Sequence, residues 1–342
     1  MLSAVIPVYN ERESLPVLHA ELRDVARGAG YELECIFVDD GSTDDSWQTI
    51  RALCQQDPRN RGIRFRHNRG KAAAMAAGFA ISGGQIVATL DADLQDNPHE
   101  LPHLMAVLDS GVDLVVGWKQ VRHDPWHKVF PSRVFNALVG WVTGVHLHDV
   151  NCGLKLMRRD VVDAVPLYGE LHRFVPVLAA AKGFRVGEVV VEHRARRFGH
   201  SKYGMRRFLK GLFDLATVKF VTTYGERPQH LFGTAGLISA LLGFVLLAWS
   251  RLGWGDGSRS LNVTDLLGVG LLLFGAQLFV TGLIAELVVA SLRGRLRTRR
   301  AALDFVVETT FDEPVPSGAD AAHEPDAGRP LRESQAERIN VP

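Results

Sequence analysis

Residues 86–95 read Ile-Val-Ala-Thr-Leu-Asp-Ala-Asp-Leu-Gln, and this stretch decides the fold. Ile86 to Leu90 form a buried-type strand, and Asp91, Asp93 and Gln95 place two carboxylates and an amide at its carboxyl end. Open α/β sheets bind their ligands at that edge. Oxygen-only donor sets suit Mg²⁺ or Mn²⁺, and Mg²⁺ is usually held by one or two carboxylates together with substrate phosphates. Alone, the same residues also read as an acidic turn. The surrounding segments separate the two readings.

Outward from that strand, residues 1–118 alternate short apolar runs with amphipathic stretches, the pattern of βα units on a mostly parallel sheet flanked by helices. Strands are expected at Leu2–Val8, Leu33–Val38, Gly62–Arg66, Ile86–Leu90 and Asp113–Gly117. Helices are expected at Ser14–Arg27, Asp45–Cys54 and the alanine-rich Lys71–Ile81. Strand ends carry polar, turn-forming clusters: Tyr9-Asn10-Glu11, Asp39-Asp40-Gly41-Ser42 and His67-Asn68-Arg69-Gly70. Several such ends on one edge make a nucleotide-sized site. Asp44 fits a helix N-cap and is set aside. Lys71 follows Gly70 at a helix start, where free N–H groups favour anions. Phe65 stands where a P-loop needs its first glycine, which excludes that motif.

The second half changes character. Leu231–Ser250 and Leu266–Ala285 contain no formal charge and are each long enough to span a bilayer. Arg194, Arg196, Arg197, Lys202, Arg206, Arg207, Lys210, Lys219 and Arg227 precede the first span, and five arginines between 293 and 300 follow the second. The connection holds only Arg251 and Arg259, offset by Asp256 and Asp265. The positive-inside rule then places both termini and the soluble domain in the cytoplasm of a multi-pass membrane protein. Glu286 reads as an interfacial snorkelling residue in preference to a polar contact within a bundle. Glycines 236, 243, 268, 270 and 275 permit close helix packing and a homo-oligomer. The expected organisation is a cytoplasmic domain at 1–226, two spans within 227–292 (231–250 and 266–290), and at 293–342 a basic segment and a tail expected to be disordered from Asp312 onward. Lys119–Arg133 is basic and aromatic, and Val134–Val145 reads as an apolar helix lying at the membrane surface or buried.

With 39 basic and 38 acidic residues, the charge balance gives no reason to expect a nucleic-acid partner. Cys35, Cys54 and Cys152 lack CxxC spacing and read as reduced thiols without zinc. The amino terminus enters a strand directly, so no signal peptide is expected.

The ordered set Val5-Ile6-Pro7-Val8-Tyr9-Asn10-Glu11, Val38-Asp39-Asp40-Gly41-Ser42-Thr43-Asp44 and Asp91-Ala92-Asp93 resembles the family-2 glycosyltransferases of GT-A fold. Within them, Asp149-Val150-Asn151-Cys152-Gly153-Leu154-Lys155 and His193-x-x-Arg196-x-x-Gly199-x-Ser201-Lys202-Tyr203 are similar to the polyprenyl-phosphate glycosyltransferases, over residues 1–300. The two spans match the bacterial subtype, whose products serve the cell envelope.

The resemblance implies a nucleotide-sugar donor (UDP- or GDP-linked), a polyprenyl-phosphate acceptor and inverting transfer. It implies that Pro7, Tyr9, Asn10, Glu11, Asp39 or Asp40, Lys71 and Asp91 contact the donor, with Arg196, Ser201 and Lys202 closing on its pyrophosphate. It further implies that Asp91, Asp93 and Gln95 hold Mg²⁺ or Mn²⁺, and that Asp149 and Asp93 are catalytic. A phosphate acceptor needs cations, and Lys119, Arg122, Lys128 and Arg133 supply them. Another lipid or glycan acceptor is the alternative, although the Gln-x-x-Arg-Trp of processive synthases is absent. A catalytically silent membrane scaffold is the other, and the retained carboxylates oppose it.

Overall fold

The computed structural model describes residues 1–121, 126–195, 206–225, 227–253, 262–292 and 306–311. Strands β1 (Leu2–Val8), β2 (Leu33–Asp39), β3 (Asn60–Phe65) and β4 (Ile86–Thr89) are parallel neighbours, with Val8 beside Asp39 and Val5 beside Thr89. The mostly apolar sequences of β1, β2 and β4 follow from burial on both faces, whereas β3 carries the partly exposed Arg61 and Arg64. Helices α1 (Leu15–Ala29), α2 (Ser46–Gln56) and α3 (Lys71–Ile81) connect them. α1 carries proline in its first turn and ends at Gly30, whose φ of 72° suits a left-handed cap. α3 lies close on the sheet because its residues are small, and a Cβ on Gly78 would sit 2.4 Å from a Val5 methyl.

Beyond β4 come α4 (Leu101–Asp109), β5 (Leu114–Trp118), α5 (Trp126–Thr143), β6 (Lys155–Arg158), α6 (Arg159–Ala164), α7 (Val175–Ala181) and β7 (Val186–Val190). Next are α8 (Arg206–Tyr224), α9 (Pro228–Gly253), α10 (Val263–Leu292) and β8 (Val306–Thr309). The sheet order is β7-β5-β6-β4-β1-β2-β3-β8. β6 runs antiparallel between β4 and β5, and β8 runs antiparallel to β3. From β1 the chain builds outward to β3, then resumes at β4 on the other side of β1. The carboxyl ends of β1 and β4 therefore form a topological switch point, where open α/β sheets leave a crevice.

The expected mostly parallel α/β sheet is present, with three differences. α5 begins at Trp126 rather than Val134, with Pro131 inside it. The proline falls in the second turn, where it removes one backbone hydrogen bond without ending the helix. Within the segment that follows the second span, Val306–Thr309 form a strand that was not expected there, and its backbone pairs with the otherwise free edge of β3. Glu286, read as snorkelling, instead accepts a hydrogen bond from the Gln229 N–H (3.3 Å), because the first turn of α9 has N–H groups without intrahelical partners.

Among the described residues, two helical stretches are long and apolar enough to cross a bilayer, Pro228–Leu252 and Val263–Val289. No more than 22% of the most apolar window of either is buried, which is unlike a core helix. They pack through glycine. A Cβ on Gly236 would lie 2.6 Å from the Gly275 oxygen, and one on Gly243 equally close to the Gly268 oxygen. Four of the five glycines are thus consumed within the hairpin.

Candidate active site

At the switch point lies a cleft of about 280 Å³, lined by Pro7, Val8, Tyr9 and Glu11 after β1, Asp40 after β2, Asn68, Gly70 and Lys71 at the start of α3, and Asp91, Ala92 and Asp93 after β4. Its walls are braced by short-range polar contacts. Asn10 adopts φ 56°, a conformation asparagine tolerates. Its N–H donates to Ser42 Oγ (2.9 Å), and its Oδ1 accepts from the Thr43 N–H (2.8 Å). Asp40 accepts from the N–H groups of Arg69 (2.6 Å) and Gly70 (2.9 Å), which sets the corner leading to Lys71. Burial pushes the Asp40 pKa up and those two donors restrain it. Asp44 accepts from the N–H (3.0 Å) and hydroxyl (2.6 Å) of Ser46, a role at the start of α2.

The acidic end of the cleft is held more tightly. Leu94 takes φ 62°, unusual for a residue of its size, and turns the chain sharply after Asp93. Asp93 Oδ1 accepts from the Gln95 N–H at 3.2 Å. The Lys71 ammonium pairs with Asp91. Burial would raise the Asp91 pKa, but Lys71, with Lys119 and Lys155 behind it, holds it well below the usual carboxylate range. Behind Asp91 passes the loop 149–153. A Cβ on Gly153 would stand 2.5 Å from Asp96 Oδ2 and 2.8 Å from Asp91 Cγ, so only glycine fits. Glu188 on β7 orients that loop: its carboxylate accepts from the N–H groups of Asp149 (2.9 Å) and His148 (3.1 Å) and meets His148 Nδ1 at 2.8 Å. The His148 ring stacks on Trp118, with centroids 3.9 Å apart.

Beneath lies a buried charged layer. Lys119 pairs with Asp96 at 2.7 Å, and Asp96 is 1% exposed. Burial would lower the Lys119 pKa, but Asp96 outweighs it and raises it. The Lys155 ammonium donates to the Cys152 carbonyl, and burial lowers its pKa. His172, in a short 3₁₀ turn at Leu171–Phe174, is 6% exposed, and its Nδ1 has no hydrogen-bond partner among the described residues. Burial, then Lys71, Arg173 and Lys155, depress its pKa to about 2. Burial pushes the Cys152 thiol up to about 12.

Of the residues singled out from sequence, Pro7, Tyr9, Glu11, Asp40, Lys71, Asp91 and Asp93 line one cleft. Asn10 braces its wall instead. Asp39 does not line it: fully buried, it accepts from the Ser42 N–H (2.9 Å) and faces Arg64. The Gln95 amide lies 3.3 Å from His193 Nε2, outside the cleft lining. Lys119, expected among the acceptor cations, is largely enclosed and pairs with Asp96 at 2.7 Å. Arg133 is exposed on α5. Arg122, Arg196, Ser201, Lys202 and the Lys128 side chain lie outside the described residues. Asp96, Lys155, His172 and Glu188 were not anticipated; only Lys155, inside the 149–155 motif, had a sequence signal.

Among the described residues no group of three or more His, Cys, Asp or Glu side chains could enclose a metal. Asp91 and Asp93 lining one cleft still fit a hard cation that takes its remaining ligands from a diphosphate and water.

Residues 3–165 match the family described as Glycosyl transferase family 2. The dodecaprenyl-phosphate galacturonate synthase of Rhizobium johnstonii is 35% identical over 322 residues, which cover 91% of this chain and 93% of that protein. The chain belongs to glycosyltransferase family 2. Solved structures similar to this family-2 chain share its fold. Glucosyl-3-phosphoglycerate synthase of Mycobacterium tuberculosis, in complex with uridine diphosphate, superposes with a TM-score of 0.51 at 19% identity, over 65% of this chain and 79% of that one. A structure of the same enzyme with Mn²⁺, UDP-glucose and phosphoglyceric acid gives 0.51 at 18% identity, over 65% and 79%. Mannosyl-3-phosphoglycerate synthase of Rubrobacter xylanophilus gives 0.51 at 16% identity, over 66% and 75%. All carry the GT-A architecture, a mixed α/β sheet with flanking helices.

Proposed function

We propose that this protein transfers a sugar from a UDP- or GDP-sugar to a membrane polyprenyl phosphate, with inversion at the anomeric carbon. The carrying observation is that Asp91 and Asp93 line the same cleft as the ends of β1 and β2, in a chain that also has two candidate spans. The relative's polyprenyl-phosphate product supports the acceptor.

In this reading the β1 and β2 ends bind the nucleoside, and Lys71 binds the diphosphate once it exchanges Asp91 for phosphate. Asp91 and Asp93 would hold Mg²⁺ or Mn²⁺, which when bound offsets charge on the departing nucleoside diphosphate. A phosphate monoester has a second pKa of about 6, so the acceptor is largely ionised at neutral pH and needs orientation more than a strong base. Asp149, whose backbone N–H is held by Glu188, would position the acceptor or serve as base. The cations that receive the lipid phosphate are Arg122, Lys128 and Arg133, with Arg196, Ser201 and Lys202 closing on the pyrophosphate.

The membrane arrangement follows from two features. Phe130, Val134 and Trp141 lie on one face of α5 and are exposed, 81% for Trp141, as suits a helix at the lipid surface. β8 follows the hairpin yet pairs with β3, which supports both ends of the hairpin lying on the catalytic side, in the cytoplasm.

The test incubates purified protein with Mn²⁺ or Mg²⁺, undecaprenyl phosphate and radiolabelled UDP- and GDP-sugars, galacturonate among them. Label entering the organic phase, and abolished by EDTA, is expected. Nucleotide binding without transfer from any donor would move the search to another acceptor. Neither binding nor turnover would favour the scaffold.

A further inference from the structure

The strand that returns after the membrane hairpin reaches the cleft through a continuous set of polar contacts. On β8, Glu308 lies opposite Arg64, and Thr309 opposite Ile63. Thr310 seats the strand end: its Oγ1 accepts from the Gly62 N–H (2.8 Å), and its own N–H donates to the Gly62 oxygen (3.1 Å). The ring of Phe311 lies 4.3 Å from the Arg61 guanidinium carbon. Arg64 then faces two ways. Its Nη1 is 3.8 Å from Glu308 Oε2, and its Nε is 3.4 Å from Asp39 Oδ2.

Asp39 has no exposed surface, so its charge depends on that cation and on the Ser42 N–H it accepts. Ser42 Oγ in turn accepts the N–H of Asn10. Asn10 sits between Tyr9 and Glu11, both of which line the cleft. The guanidinium also lies 5.9 Å from the centre of the Trp47 ring, and of the two carboxylates that fix its direction, Glu308 is the one that β8 supplies.

We propose that Arg64 and Glu308 are positioning residues: β8 holds the Arg64 guanidinium against Asp39, and Asp39, through Ser42 and Asn10, sets the β1 wall of the nucleotide cleft. Affinity for the donor nucleotide thereby depends on the segment that follows the membrane hairpin. This rests on reading the cleft as the nucleotide site. It also assigns a use to Asp39, which does not line the cleft itself.

The experiment uses the full chain in detergent, with binding of UDP and of GDP in the presence of Mn²⁺ measured calorimetrically beside thermal unfolding and steady-state transfer. Truncation after Asp312 leaves β8 intact and is expected to bind as wild type. Glu308→Gln is expected to weaken nucleotide binding about threefold and Arg64→Ala about tenfold, with the double variant no worse than Arg64→Ala, because both act through one carboxylate. The donor KM rises in step while kcat at saturating donor stays within about twofold, the pattern of lost uniform binding. Arg64→Lys keeps the charge but not the fork and falls between. Variants that melt earlier yet bind nucleotide as wild type would overturn the proposal and leave β8 a structural strand. Additive losses would overturn the shared route. A wild type that binds neither nucleotide sinks the cleft reading and this inference with it.

Discussion

The sheet carries its charge in two ways on either side of the Asp91 strand. On the β1–β4 side, Glu11, Asp40, Asp91 and Asp93 line the cleft; Asp40 and Asp93 accept from backbone N–H groups, and Asp91 is held by Lys71, which lines the cleft as well. On the β5–β7 side, Asp96, Lys119, Lys155 and His172 stand outside the cleft lining, and the charged ones are satisfied within the protein. A group on the first wall can exchange its partner for a ligand. A group in the second layer cannot, because an unpaired buried charge costs several kcal/mol. The front wall is therefore built to bind, and the layer behind it to hold a fixed potential.

That difference is broken most severely at Asp91. Asp91→Asn should lower sugar transfer at least about 10³-fold while leaving the thermal midpoint close to wild type, since the side chain is partly exposed and belongs to the exchangeable wall. It also removes the carboxylate that pairs with Lys71, so nucleotide binding without metal should survive. Loss of fold instead of activity would show that the front wall is as structural as the back.

Lys119→Met tests the buried layer. It strands Asp96 without a cation, and the expected cost is about 3–5 kcal/mol of stability. Adding Asp96→Asn in the same chain should recover most of the midpoint in a thermal melt. Unfolding of Lys119→Met at the wild-type temperature would mean that the pair is not what neutralises this layer.

The same division explains what the sequence discloses. Pro7, Tyr9, Glu11, Asp40, Lys71, Asp91 and Asp93 are legible because each lies within a few residues of a strand end or helix start, and strand ends converge by topology. The surroundings of Lys119 are not legible for the opposite reason: a lysine after a strand looks like an open cation, and nothing local says that Asp96 will pair with it. His172 has no periodic or spacing signal, being placed only by packing of the turn at 171–174. β8 lies in the charged segment after the second span, and Thr310 at its end bonds Gly62, 248 positions away, a pairing that no local pattern announces. The four residues of β6 carry Lys155 and Arg158, too short and too charged to register as a strand.

Gly153 lies where the two regions touch. Gly153→Ala would drive its methyl into the Asp91 carboxylate and Asp96, and either the loop or the Asp91 turn must shift. A destabilisation of about 1–3 kcal/mol is expected from overpacking. Transfer should fall further, about 10²-fold, because displacement of Asp91 by a fraction of an ångström misaligns the donor. Equal wild-type activity would separate the 149–153 loop from the site.

The smallest effect is a pH dependence to which the buried layer contributes through His172, beside His19 in the core, whose pKa burial also lowers. His172 has its folded pKa near 2, depressed first by burial and then by the cations around it, against about 6.5 in the unfolded chain. Below pH 6.5 the unfolded chain takes up a proton that the folded one refuses, so stability falls as pH falls. Between pH 6.5 and 5.5 this group should cost about 1 kcal/mol. His172→Gln removes the titration while keeping a polar side chain, and its thermal midpoint should decline less over that interval than the wild type's. The Asp91–Lys71 pair of the front wall contributes nothing of this sign there, because Lys71 holds the Asp91 pKa well below the interval and the ion pair stays intact. Parallel acid limbs for wild type and variant would mean that His172 is solvated in the native state, and that the layer behind the cleft is wetter than its packing implies.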